Sequence, residues 1–474
     1  MTDWAEPEEV FARLFASRTE AFWLDAGEQA QEGWSYLGAA GPLAVVALGF
    51  PSARAGGEVE LRRPGTGESS RIAGSVLELL DRGSVPGTPD EEHRGPGDHT
   101  PPFQLGWAGW IGYETGAAAL GVPLAAGAEP DSALIHADRL VAFDHARRRI
   151  HVSALIVAGE HEHAQRQWLE RTLSGLAGPG LSPVPSAAPL ASPRLRHERE
   201  EYLRLIESCR ERIRRGDAYQ LCLTNRFRAR TSEEPFSVYR RLRAVNPSPR
   251  GGFLTAGGTA LLSSSPESFL SLGPDRRART RPIKGTRRRG RDAEEDTRLR
   301  RELAQDPKER AENLMIVDLM RNDLGRVAVL GSVRVEELFA VEAYRNVLQL
   351  VSTVSARLAP EASAGQLVRA AFPAGSMTGA PKLSAMRLLH ELESAPRGAY
   401  AGAFGFVSRT GALQLSMTIR SIVLRDGVAE VGAGGGITAL SDPAFEFEET
   451  LLKAAPLLAA LGSPLPSGGA DRIG

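Results

Sequence analysis

Apolar positions along the chain fall into short runs of two kinds, alternating or continuous stretches and stretches with a helical repeat, and the two are intermixed. Leu43 to Phe50 and Ile150 to Val157 read as strands. Ile72, Val76, Leu79 and Leu80 share a helical spacing, as do Tyr202, Leu205, Ile206, Cys209 and Ile213, whose helix is expected to stop at Gly216. Tyr219 to Phe227 has a strand pattern. Further on, Leu413 to Leu424 and Val428 to Val431 flank Arg425-Asp426-Gly427, and Asp-Gly between strand patterns predicts a hairpin. Strands and helices without regular βαβ alternation predict an α+β fold on largely antiparallel sheet.

Two stretches break these patterns. Asp81 to Pro102 is rich in Gly, Pro, Asp and Glu, which predicts a mobile loop. Pro, Ser and Ala dominate Leu181 to Pro193, which reads as a linker. The expected organisation is an N-terminal α+β domain over 1–180, a linker over 181–196, a catalytic domain over 197–460 and a flexible tail over 461–474. There is no internal repeat.

The chain has 474 residues, 42% of them apolar, enough for two or three domains or one large interleaved unit. A formal net charge of -1 gives no global field toward nucleic acid or membrane. Only Cys209 and Cys222 are present, which argues for a reducing compartment and against a disulfide framework or structural zinc site. The N-terminus is acidic without an apolar signal core, and no run is long and apolar enough to span a bilayer, so a soluble, cytoplasmic protein is expected.

The chemistry-bearing residues are concentrated after the linker. Arg281-Pro282-Ile283-Lys284-Gly285-Thr286 places a lysine in a tight turn among arginines running from Arg276 to Arg291. Desolvation and nearby cations would lower its pKa and make it nucleophilic, whereas a surface loop would leave it solvated. Glu309 and Glu312 open one apolar helix pattern, and Glu446 and Glu449 open another that reaches Lys453. Each pair is spaced i, i+3 on one helix face. Few-carboxylate sites suit Mg²⁺, and a solvated acidic face is the alternative for either pair alone. Gly432-Ala433-Gly434-Gly435-Gly436 after the hairpin is either an anion-binding run of uncovered amides or a flexible turn. A second loop, Pro373 to Lys382, precedes a helix and is another anion-site candidate, but lacks the Gly-Lys-Ser/Thr ending of a Walker loop. Arg420 lies inside a strand pattern, either buried against an anion or exposed.

In order, these stretches resemble the chorismate-utilising enzymes, most closely their aminodeoxychorismate synthase component I branch. The resemblance is specific from about His197 to Leu457 and weaker through Phe22-Trp23-Leu24-Asp25 and Gly106 to Glu114. Gln220, in Gly216-Asp217-Ala218-Tyr219-Gln220, stands where water-using members place a lysine. Lys284 stands where anthranilate synthases typically have alanine, and Ser376-Met377-Thr378-Gly379 matches the aminodeoxychorismate version of that loop. The resemblance implies a chorismate-binding fold: large, mostly antiparallel sheets with helices outside, in two interleaved subdomains. It implies a transferase that aminates chorismate at C4 to 4-amino-4-deoxychorismate, toward p-aminobenzoate and folate. Lys284 would attack C2, and Glu267 would protonate the departing C4 hydroxyl. Glu312 and Glu449 would be the principal Mg²⁺ ligands, supported by Glu309 and Glu446. Arg420, Tyr400 and the amides of Gly434 and Gly436 would hold a substrate carboxylate, and Gln220, Thr286, Gly435 and Lys453 would complete the substrate site. Ammonia would come from a separate glutamine amidotransferase subunit or be used free.

Several positions depart from the family pattern. Leu348 and Gln349 occupy a stretch where relatives place a histidine that anthranilate synthases link to their lyase step. Leu440 replaces an aspartate before Ser441-Asp442-Pro443, beside the second metal-ligand segment. Arg250 and Ala26 fall where relatives bind tryptophan, so tryptophan binding is not carried over. The alternatives are an anthranilate synthase component I, a catalytically silent chorismate-binding subunit, or a nucleic-acid binder resting on the arginine cluster.

Overall fold

The computed structural model describes residues 4–52, 57–81, 100–124, 129–156, 160–344 and 347–466. Most of the loop expected over Asp81 to Pro102 and most of the tail expected over 461–474 lie outside the described residues, as does Val157.

Among the described residues the strands form an 11-stranded and a 12-stranded sheet. Every pairing is antiparallel, as the irregular alternation of strand and helix patterns predicts. The first sheet runs from Arg194–Leu195 through Gln220–Arg230, Val428–Ile437, Ser421–Arg425, Thr259–Ser264 and Gly251–Ala256. It then continues into the N-terminal strands Ala21–Asp25, Trp34–Ala39, Arg139–Asp144 and Arg149–Ala154. The second sheet does likewise: Ala403–Ser408 pairs with Gly106–Ile111, which leads to Ser132–Ala137 and Val45–Phe50. The stretches before and after the linker are therefore knitted together twice, once in each sheet. That is the interleaving the resemblance implies.

The two sheets face each other across a core that contains Phe22, Tyr36 and Leu254 from the first and Leu48, Trp110 and Phe404 from the second. Helices cover both outer faces. Arg199–Arg214, Pro235–Val245 and Pro443–Leu461 lie on the first sheet, and Pro307–Gly325 and Ala364–Ala371 on the second. Each outer helix buries one apolar stripe and keeps its polar face in water, so the sandwich has three apolar interfaces.

Two local expectations are corrected. Ile72 belongs to the strand Glu68–Ala73, and the helix starts only at Val76, since strand alternation and helical spacing coincide over so short a run. Leu413 to Leu424 is two strands, Leu413–Met417 in the second sheet and Ser421–Arg425 in the first. The chain switches sheets between them, at Arg420, whose φ is 52°. The hairpin prediction holds: Arg425 pairs with Val428 around Asp426 (φ 49°) and Gly427 (φ 71°), a two-residue turn with both φ positive.

A buried arginine ties the site-bearing segments together. The Arg397 guanidinium donates to Glu393 at 2.6 and 2.8 Å, to the Met377 carbonyl at 2.7 Å and to the Cys222 carbonyl at 2.8 Å. Its backbone N–H donates to Glu114 at 2.7 Å. Burial alone would disfavour the charge, but Glu393 leads the influences that hold Arg397 protonated. We expect Arg397→Met to strand the Glu393 carboxylate in the core and cost about 3–5 kcal/mol of unfolding free energy in a denaturant titration, with part recovered in Arg397→Met/Glu393→Gln. A loss below about 1 kcal/mol would show that this pair does not hold the segments.

Candidate active site

The site grows from an unfinished strand. Val428–Ile437 pairs along its whole length with Gln220–Arg230, but its other neighbour, Ser421–Arg425, reaches only Val431. Beyond Val431 one edge is open. The Gly434 carbonyl points out of that edge, because it accepts from Lys453 Nζ at 2.8 Å. In an antiparallel ladder the N–H and C=O of one residue share a side, so the amides of Gly434 and its alternate Gly436 face the opening too. Of the two alternatives for this run the flexible turn is set aside: the run is strand, and its free amides come from the missing neighbour.

Glycine is required here because side chains from both faces crowd the strand. A Cβ on Gly432 would stand 2.2 Å from the Tyr400 ring, one on Gly436 2.0 Å from Gln220 Nε2, and one on Gly435 2.9 Å from Glu446 Oε2.

Around the open edge lies a cavity of about 660 Å³ lined by Lys284, Thr286, Glu267, Tyr400, Arg420, Gly434, Gly435, Gly436 and Lys453, with all four glutamates, Glu309, Glu312, Glu446 and Glu449. Gln220 stands behind the wall at Gly436. It is fully buried, and neither polar atom of its amide has a hydrogen-bond partner.

Lys284 is on a strand, Ile283–Arg288, and the tight-turn expectation is corrected. The pairing slips there: Ile283 opposes Val351 and Thr286 opposes Gln349, so one extra residue bulges out. Gly285 takes φ 82°, and a Cβ on it would meet Leu303 and Glu309 at 2.9 and 3.0 Å. The bulge turns Lys284 toward the helix Pro307–Gly325, where its Nζ lies 3.8 Å from Glu312.

The electrostatics also correct an expectation. The arginines around Lys284 are engaged elsewhere: Arg279 with Glu336 at 3.1 Å, Arg287 with Asp306 at 2.9 Å, Arg289 with Asp296 at 2.7 Å and Arg281 with Glu342. They lend Lys284 no positive field and offer no free basic patch. Burial pulls the Lys284 pKa down, but Glu312 first, then Cys222, Glu267 and Glu309, outweigh it and leave it raised. Glu267 is pushed up to about 7 by burial, against the pull of Lys284. It is therefore a carboxyl that still carries its proton near neutrality.

The glutamates come from two helices, Pro307–Gly325 and Pro443–Leu461, entering the cavity from different sides. Lys308 Nζ lies 3.6 Å from Glu446 and Lys453 Nζ 2.7 Å from Glu449. Burial, opposed by lysines or by the Ser441 hydroxyl, leaves Glu312 and Glu446 raised. For Glu449 burial is outweighed, Lys453 foremost, and its pKa is lowered. As the side chains lie, no three His, Cys, Asp or Glu among the described residues stand close enough to form a ligand cluster. The donor chemistry nonetheless fits a hard divalent cation, since four carboxylates open onto one cavity beside unshared space.

Arg420 complements them. It makes no ion pair among the described residues, lines the cavity and is held below its usual pKa by burial, which is the condition of a cation awaiting an anion. Sequence reading missed Lys308, whose only signal was its place beside Glu309. It also missed the Cys222 thiol in the cavity wall. Of the departures, Gln349 lines the cavity, Leu348 is buried in a small cluster with Leu299, Leu303 and Leu350, and Leu440 is 90% exposed. The space bounded by Asp25, Trp34 and Arg250 is about 40 Å³, too small for an indole.

The chain belongs to the chorismate-binding enzyme family, whose model matches residues 70–459. It is similar over its whole length to the aminodeoxychorismate synthase of Streptomyces griseus, at 44% identity, and spans 65% of that protein. It is 42% identical to anthranilate synthase component 1 of Streptomyces coelicolor over 76% of this chain and 73% of that one. Among solved structures, anthranilate synthase component I from Streptococcus pneumoniae superposes with a TM-score of 0.75 at 32% identity, covering 91% of this chain and 93% of that one. The chain thus spans less than two thirds of the Streptomyces griseus relative.

Proposed function

We propose that the chain aminates chorismate at C4 with ammonia, giving 4-amino-4-deoxychorismate for p-aminobenzoate formation. The observation that carries this reading is the joint placement of a half-buried lysine and a buried, proton-bearing carboxyl in one cavity, Lys284 and Glu267. The two side chains divide the work. Lys284, whose raised pKa makes loss of a proton to solvent the first requirement, attacks C2 as the free amine, the ring double bond shifts, and the C4–O bond breaks as Glu267 gives its proton to the leaving hydroxyl. Ammonia then attacks C4, the double bond shifts back, and the C2–N bond breaks to release Lys284. Glu267, now a carboxylate, takes a proton from the new ammonium. Two displacements leave amine where hydroxyl had been, with stereochemistry retained.

Arg420, Lys453 and the open amides of Gly434 and Gly436 would hold one carboxylate of the dianion. Glu312 and Glu449 would hold Mg²⁺, with Glu309 and Glu446 supporting. When bound, the ion supplies positive charge for the other carboxylate. Sequence similarity to both branches leaves anthranilate formation as the second reading, and the stretch with Leu348 and Gln349, in which relatives place a histidine, disfavours it. Ammonia would be supplied by a glutamine amidotransferase or taken from solution.

Mass spectrometry of products from chorismate, Mg²⁺ and ammonium tests the reading. We expect aminodeoxychorismate, greatly reduced in Lys284→Ala. Anthranilate would move the chain to the second reading, and no turnover with a functioning glutaminase also present would leave a silent chorismate binder. The pH profile tests Glu267, which is protonated below and ionised above a pKa raised to about 7. As an acid it must carry the proton, so kcat/KM for chorismate should fall as pH rises through about 7. Glu267→Gln should lose roughly 10²–10⁴-fold in rate and flatten that limb. Persistence of the limb in the variant would assign it to another group.

A further inference from the structure

The peptide between Pro282 and Ile283 joins the two side chains assigned to the reaction. Its N–H, that of Ile283, donates to the Glu267 carboxylate, and the next residue is Lys284. The peptide is trans, so its C=O and N–H point in opposite directions. Whatever holds the Pro282 carbonyl therefore also aims the Ile283 N–H.

That carbonyl has two donors. It accepts from the Ser352 backbone N–H at 3.2 Å and from Asn313 Nδ2 at 3.5 Å. Asn313 Oδ1 accepts in turn from the Ser352 hydroxyl at 2.5 Å, and that hydroxyl accepts from the Phe339 N–H at 3.0 Å. The side-chain relay thus runs one way, from Phe339 through Ser352 and Asn313 to Pro282. Asn313 and Ser352 are fully buried, and both stand outside the lining of the reaction cavity.

The backbone is distorted around this relay. Ser352 lies on the strand Val347–Arg357, between two bulges. On one side the pairing slips between Ile283 and Thr286, on the other between Glu337 and Ala340, and Ile283 and Ala340 both oppose Val351. Inside the second bulge Phe339 takes φ 61°, a left-handed backbone that a bulky residue rarely adopts. Such backbone persists only where its surroundings impose it. Here the Arg310 guanidinium, 4.4 Å from the centre of the Phe339 ring, ties it to the helix that carries Glu312 and Asn313.

We propose that Asn313 is a positioning residue for the amination: with Ser352 it fixes the Pro282–Ile283 peptide and so sets the proton donor and the nucleophile against each other. The proposal rests on the amination reading above. A leucine in place of Asn313 fills its space but leaves the Pro282 carbonyl with one hydrogen bond instead of two. The peptide then tilts, taking the Ile283 N–H from Glu267 and Lys284 from its place.

Kinetics of Asn313→Leu and Ser352→Ala with chorismate, Mg²⁺ and saturating ammonium test this. Burial raises the Glu267 pKa, and Lys284, the Ser376 hydroxyl and the Ile283 N–H oppose it; of these three Lys284 is charged. Losing the Ile283 N–H removes a group that favours the carboxylate, so the pKa rises further. The falling limb of kcat/KM, near pH 7 in the parent, should therefore move to higher pH in both variants. kcat should drop roughly tenfold to hundredfold, while the chorismate dissociation constant, read by fluorescence titration without ammonium, stays within about twofold. A merely loosened fold lowers activity at every pH and leaves the limb in place, so the limb separates positioning from structure. Ser352→Ala removes a single oxygen and remains decisive should Asn313→Leu misfold. A folded variant whose limb stays at the parent's pH overturns the proposal. A parent that binds chorismate but forms no aminodeoxychorismate overturns the amination reading itself, and this inference with it.

Discussion

Missing side chains on one strand govern the site. From Gly432 to Gly436, four of five residues lack a Cβ, and three of those hydrogens face a ring, an amide or a carboxylate that occupies the space a side chain would take. Tyr400, Gln220 and Glu446 are brought by three different segments, and each reaches its position only because the strand is bare. The cost is conformational, since glycine loses more freedom on folding than any other residue. It is offset by a full ladder of pairing with Gln220–Arg230 on one side.

The opposite edge is open because the chain is needed elsewhere. Leu413–Met417 serves the second sheet and Ser421–Arg425 the first, so the three residues between them cross the gap. Arg420 is the last of them, and its positive φ makes the turn. One topological event thus leaves a strand edge unpaired and sets a cation at the opening. The same gap lets the helix Pro443–Leu461, packed outside the first sheet, share a cavity with Lys284 from the second sheet. The lysines and glutamates lining the cavity then balance one another, which keeps charge in a cavity that would otherwise expel it.

Much of this was legible in the sequence, and what was not has identifiable causes. Asp426-Gly427 fixed its hairpin because few dipeptides adopt two positive φ values cheaply. The two glutamate pairs were readable because i, i+3 spacing on a helix needs no tertiary knowledge. The break at Arg420 was invisible, since strand periodicity carries no mark of a change of sheet. The glycine run left a turn open as an alternative because local propensity opposes glycine in strands, and the compensating partners lie far away in sequence. The arginines near Lys284 looked like a positive field, yet some of their acidic partners, Glu336 and Glu342, stand some sixty residues on. Lys308 and Cys222 carried no motif of their own.

The central claim is that Lys284 forms and then releases a bond to the substrate ring. Intact-protein and peptide mass spectrometry of the chain quenched with chorismate and Mg²⁺, ammonium omitted, addresses it most directly. A covalent route predicts a mass gain of chorismate less one water, located on the peptide that carries Lys284 and discharged when ammonium is added. An unmodified Lys284 peptide under conditions where the same preparation forms aminodeoxychorismate would contradict it and require direct displacement by ammonia.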